Sequence, residues 1–176
     1  MRVSKANEYV VRASLFEATF NPDSCANYGA CGNLEFFDPA TMVEVDLEVE
    51  QLDKLAKLRC TQKGTIYVRD MTTFQVVALR DTLYIQSCSE PVYSEGQLDR
   101  LGFKATTNEG VRVFSDQDGV PYIVATMGLH YLYYSSFEIL PVDLARRLLA
   151  EQRTLPVSQP VVVVGWGRGS VCQHER

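Results

Sequence analysis

Between positions 42 and 49 the chain reads MVEVDLEV, an unbroken alternation of apolar and acidic residues. Val43, Val45, Leu47 and Val49 fall on one side, and Glu44, Asp46 and Glu48 on the other. A period of two marks a half-buried strand. After Glu50 the period changes: Leu52, Leu55, Ala56 and Leu58 recur at three and four, which predicts a short amphipathic helix with Cys60 at its end. KGTIYVRD and TTFQVVALRDTLYIQSC follow, dominated by β-branched and aromatic residues. Asp70 and Arg80-Asp81 punctuate them as turns, so three runs are expected to form an antiparallel meander.

Residues 4 to 20 satisfy two periods at once. Ala6, Tyr9, Val10, Ala13, Phe16 and Phe20 form a helical stripe with Ser4 as N-cap, while Tyr9, Val11, Ala13 and Leu15 alternate as a strand would. A helix is the expectation and a strand the open alternative, with Asn21-Pro22 ending either one. Residues 21 to 33 then read as loop.

Further on the punctuation is clearer. YSEGQLDRLGF carries Ser94 as N-cap, Gln97 at the capping-box position and Gly102 where a helix ends in a left-handed residue. GVRVFSDQDGVPYIVATM is a hairpin, with Gly119 supplying the positive φ of its turn. GLHYLYYSSF reads as another strand. LPVDLARRLLAEQRTLP is a helix with Leu144, Leu148 and Leu149 on one face and Pro156 closing it. PVVVVGWG reads as a final strand.

The sequence has 176 residues, enough for one domain over 1–176 that buries about 70% of its unfolded surface. With 46% apolar and 22% charged residues it is globular in composition. No apolar run approaches the roughly 20 residues of a membrane helix. The opening MRVSKANEYVV lacks the apolar region of a secretory signal, and Arg2 occupies the position that myristoylation requires to be Gly. The five cysteines, an odd number, fit a reducing cytoplasmic setting with free thiols. The net charge is −5 with scattered cations, so nucleic acid is not expected as a partner, nor is a membrane.

SCANYGACGN, residues 24 to 33, raises the question of metal or thiol chemistry. A structural zinc site takes four ligands, usually as two close pairs. Cys25, Cys31, Cys172 and His174 would supply four, but their spacing matches no established zinc pattern. Thiol catalysis needs a base and an orienting group. Only His130 is placed to serve Cys25, with Asp23 or Asn27 to orient it, and no local signature links them. A Cys25–Cys31 disulfide is disfavoured in a reducing compartment. A turn-rich loop is the simpler expectation. VVVVGWGRGS lacks both the following helix and the Lys-Ser/Thr ending of a phosphate loop. SDQDG lacks the terminal Glu of a calcium loop. No metal and no cofactor are expected.

Two features point instead to protein partners. Glu44, Asp46 and Glu48 would project about 7 Å apart from one strand face, a surface suited to a basic neighbour or to the nucleic-acid groove of an enzyme. Tyr131 and Tyr133, with Trp166 near the C-terminus, are residue types that anchor interfaces, and the C-terminal strand could extend a neighbour's sheet. The sequence thus predicts a single α+β domain, mostly antiparallel sheet with two to four short helices. The expected function is a non-enzymatic structural or interaction subunit of a larger assembly, such as a virion-type particle, with homo- or hetero-oligomeric protein partners. Its expected partner-binding residues are Glu44, Asp46, Glu48, Tyr131, Tyr133 and Trp166. Two other functions remain: an acidic inhibitor occupying a nucleic-acid groove, and a Cys/His enzyme or zinc protein.

Overall fold

The computed structural model describes residues 16–51 and 54–154. In chain order it holds β1 (Phe16–Asp23), β2 (Ala30–Cys31), β3 (Val43–Gln51), β4 (Lys54–Asp70), β5 (Val76–Tyr84), β6 (Val92–Ser94), α1 (Glu95–Arg100), β7 (Lys104–Asn108), β8 (Val111–Ser115), β9 (Pro121–Met127), β10 (Tyr133–Ile139) and α2 (Val142–Thr154). The chain is an α+β protein, mostly antiparallel, with β1–β6 and β2–β5 as parallel exceptions. No helix among the described residues is long and apolar enough to cross a membrane.

The strands hydrogen-bond in the order β3-β4-β5-β2-β6-β1-β10-β9-β8-β7, and β4 also pairs with β10. Six strands therefore form a closed ring, β4-β5-β2-β6-β1-β10. β3 extends it at one side, and the β9-β8-β7 meander runs on from β10. Closure lets residues two apart on each strand meet in one interior. Phe20, Ile66, Val68, Leu79, Tyr93, Phe137 and Ile139 fill it, all buried. Phe20 meets Phe137 edge to face at 5.4 Å, and burying a side chain of that size stabilises the fold by roughly 2–3 kcal/mol. The Tyr93 hydroxyl finds Ser135 Oγ at 2.9 Å, so the interior carries its polar group in a satisfied pair.

α2 lies against the opposite face of β4 and β5. Leu144, Ala145, Leu148 and Leu149 cover Tyr67, Val76 and Leu140. Arg146 on the same helix reaches the buried Asp38 carboxylate at 2.8 Å, and the Tyr67 side chain bonds its guanidinium as well. Asp70, at the end of β4, accepts N–H bonds from Thr72, Thr73 and Val124, tying the β4–β5 turn to β9. Burial raises the Asp70 pKa and these three donors oppose the rise.

Several expectations hold. β3, the capped helix α1, the β8–β9 hairpin and α2 stand where the patterns put them. Ser94 Oγ accepts from Gln97 N–H, and Gly102 and Gly119 take φ of 91° and 80°. Others need correction. Residues 16 to 20 are strand, because β10 offers a hydrogen-bonding partner from Phe16↔Ile139 to Phe20↔Ser135; residues 4 to 15 of the expected helix lie outside the described ones. Leu55, Ala56 and Leu58 belong to β4, whose pairing with β3 overrides their helical spacing. Leu52 lies outside the described residues. Within the expected loop 21–33, residues 21–23 complete β1 and Ala30-Cys31 form β2, a link in the ring. Arg80-Asp81 does not end a strand: Gly64 pairs with Thr82 and Ile66 with Leu79, so the two residues bulge out within β5. The expected strand 128–137 begins only at Tyr133, after a tight turn. The expected strand 160–167 lies outside the described residues.

Candidate interaction surface

β9 and β10 are joined by residues 128–132. Gly128 N–H bonds to Leu132 C=O at 2.8 Å, and the chain reverses through His130 and Tyr131, both left-handed with φ of 64° and 61°. Neither residue is a glycine, and the left-handed region costs an L-residue about 1–2 kcal/mol. A Cβ on Gly128 would stand 2.9 Å from the Tyr134 ring, so the ring closes over a position that only glycine leaves open. The result is a tight turn with its apolar groups turned outward. Leu129 is 83% exposed, Tyr131 84% and Leu132 50%. The strained backbone and the outward apolar side chains occur in the same five residues. Tyr131, expected on a strand as an interface anchor, stands instead in the turn at the apex of this tip. Tyr133 lies at the foot of the tip, half-buried and opposite Met127. Leu129 carries no signal in the sequence pattern, because its exposure depends on the left-handed turn that follows it.

The acidic row is placed differently from its pattern. Glu44 pairs with Gln62 and Leu47 with Cys60, so two residues of β3, Val45 and Asp46, stand against Thr61 alone. This bulge shifts the alternation by one. Glu44 shares the side of Leu47, while Asp46 and Glu48 lie on the other side. The same shift brings Val43 onto the side of Lys63 and leaves it 50% exposed. Cations answer the two carboxylates that stay together. Arg59 clasps Asp46 through Nε at 2.8 Å and Nη2 at 3.0 Å, and Lys57 reaches Glu48 at 2.9 Å. All four side chains are well exposed, so each pair contributes under about 1 kcal/mol. The edge is a mixed-charge ladder.

The four described cysteines are all free thiols and differ in exposure. Cys25 is exposed in a turn where Asp23 Oδ1 accepts N–H bonds from Cys25 and Ala26. Cys31 is buried, and burial pushes its thiol up to about 11. Cys60 is buried with its thiol directed at the Gln62 carbonyl. Burial also raises Cys88, whose thiol meets the Glu90 carbonyl. Thiols held protonated in this way are poor nucleophiles. His130 sits on the exposed tip. Among the described residues no three His, Cys, Asp or Glu side chains are grouped to hold a metal. Trp166, Cys172 and His174 lie outside the described residues.

A cavity of about 220 Å³ lies between the β5 bulge and α1, with Arg80 and Arg100 among its lining. Its inner polar atoms are engaged: Ser94 Oγ with the Ala26 carbonyl, Thr82 Oγ1 with that of Leu79, and Gln97 Oε1 with Gly29 N–H. Compared with known proteins, the chain matches no family model and no curated relative.

Proposed function

We propose that the protein is a non-enzymatic interaction subunit that binds protein neighbours through the 128–132 tip. The observation that carries this reading is the pairing of backbone strain with outward apolar groups. Leu129 and Tyr131 are more than four-fifths exposed on a turn whose two central residues are left-handed without being glycine. A folded chain gains nothing by itself from that arrangement; a partner's pocket would bury both side chains. Tyr131 and Tyr133, with Trp166 of the C-terminal segment, are the aromatic anchors. Asp46 and Glu48, with Glu44 on the other side of the same edge, set charge fit at the rim. A virion-type or similar multi-protein particle is the assembly such a subunit suits. The inhibitor reading is the weaker one, because Arg59 and Lys57 already answer the carboxylates that would imitate phosphates.

The test is native mass spectrometry of the full chain beside a Leu129→Ser/Tyr131→Ser variant. The wild type is expected to carry a second, different protein, and the variant to lose that protein with an unchanged unfolding midpoint. A wild-type monomer that carries zinc or a thiol adduct would replace this reading with the Cys/His one.

A further inference from the structure

We infer that β7 is a dimerisation edge that pairs antiparallel with β7 of a second copy of this chain, about a two-fold axis at Thr106. This surface is separate from the 128–132 tip and goes beyond the reading above. Among the described residues β7 ends the strand order, bonded on one side by β8 and open on the other. All five of its residues are exposed. Its register with β8 is unbroken from Lys104↔Ser115 to Asn108↔Val111, with no bulge and no proline to blunt the edge.

The direction of the free peptide groups follows from the hairpin. Asn108 and Val111 flank a two-residue turn in which Glu109 and Gly110 both have positive φ, 45° and 77°. In such a turn the flanking pair exchanges both backbone hydrogen bonds. A second contact fixes the same phase: Met127 N–H bonds to the Gly110 carbonyl at 2.7 Å, so Gly110, Arg112 and Phe114 address β9, while Val111, Val113 and Ser115 address β7. Asn108, Thr106 and Lys104 therefore bond inward to β8. Ala105 and Thr107 present their N–H and C=O groups to the open edge.

That spacing is self-complementary. An antiparallel copy centred on Thr106 sets Ala105 against Thr107 of its mate twice over, and all eight outward groups enter four hydrogen bonds. Centring on Ala105 would need Phe103 N–H, which already bonds to Leu98 C=O. Centring on Thr107 would run into the turn at Glu109. Charge agrees with the Thr106 register: Lys104 of each copy comes beside Asn108 and Glu109 of the other, and the two lysines lie at opposite ends. The pairing is isologous and closed, so it stops at a dimer.

Sedimentation velocity of the full chain over a concentration series tests the edge. Wild type is expected to show a reversible monomer–dimer equilibrium. Ala105→Pro removes one outward N–H per copy and leaves every β7–β8 bond in place. It should weaken the dimer by about tenfold or more with unchanged circular dichroism. Thr106→Cys gives an independent reading, because residues facing each other at the axis stand within disulfide reach. Mild oxidation should join position 106 of two copies, located by peptide mapping, and this result decides alone if Ala105→Pro fails to fold. A wild-type monomer at every concentration, or a bond mapped elsewhere, overturns the pairing. A dimer that survives Ala105→Pro but is lost in Leu129→Ser/Tyr131→Ser also overturns it, and assigns self-association to the tip.

Discussion

His130 and Tyr131 hold backbone angles that glycine adopts freely, and nothing around them demands their side chains. Replacing Tyr131 with Gly should leave the urea midpoint unchanged or raise it, while partner association falls. A lower midpoint would make Tyr131 a packing residue and weaken its role as an anchor. Gly32 is the opposite case. A Cβ there would come within 2.3 Å of the Cys88 carbonyl, a backbone atom that cannot swing aside. Gly32→Ala should destabilise by at least about 1–3 kcal/mol, read by chemical denaturation. Cys31 makes a third prediction. Its thiol is raised from 9.0 to about 11 in the folded chain. Above pH 9 the unfolded chain releases a proton that the folded chain keeps, so stability should fall as pH rises from about 9 towards 11. Cys31→Ala should flatten that slope; an identical slope in both proteins would remove Cys31 as its source.

At the scale of elements, legibility followed local punctuation. α1 was readable because Ser94, Gln97 and Gly102 each perform a capping task that the fold leaves intact. The β8–β9 hairpin was readable for the same reason at Asp116 and Gly119. β1 was not, because Phe16 and Phe20 fit both a helical and a strand period, and the choice was made by β10, more than a hundred residues away. The start of β4 was misread because leucine spacing says nothing of a strand already waiting in β3. The acidic row was legible in composition and not in geometry, since the bulge at Val45-Asp46 has no glycine to announce it. Of the expected anchors, Tyr131 stands on a left-handed turn instead of a strand, and the exposure of Leu129 has no signal in the pattern. The docking of α2 gives a prediction at this scale. Arg146→Ala would leave the buried Asp38 carboxylate without its guanidinium and should lower the midpoint of thermal or chemical unfolding. Stability equal to wild type would mean that the apolar face alone holds the helix.

The whole molecule joins a closed six-strand ring to an open meander, and the two have different consequences. The ring hides its peptide groups, and its interior is fully packed, from Phe20 to Phe137. Among the described residues the meander leaves β7 as a free edge, and the β9–β10 connection carries the exposed tip. The β4–β10 pairing that closes the ring has no local signature, so a ring was not among the architectures the pattern suggested. Both proposed contact surfaces thus lie outside the pairings that close the ring.

The tip's role is tested most directly by site-specific photocrosslinking. A benzophenone amino acid at position 131 of the full chain, activated in the cells that produce it, should yield a discrete protein adduct identifiable by mass spectrometry. The same group at Asp118, on an exposed hairpin turn, should not yield that adduct. No adduct from position 131, or the same adduct pattern from both positions, would contradict the assignment of the 128–132 tip as the contact that defines this subunit.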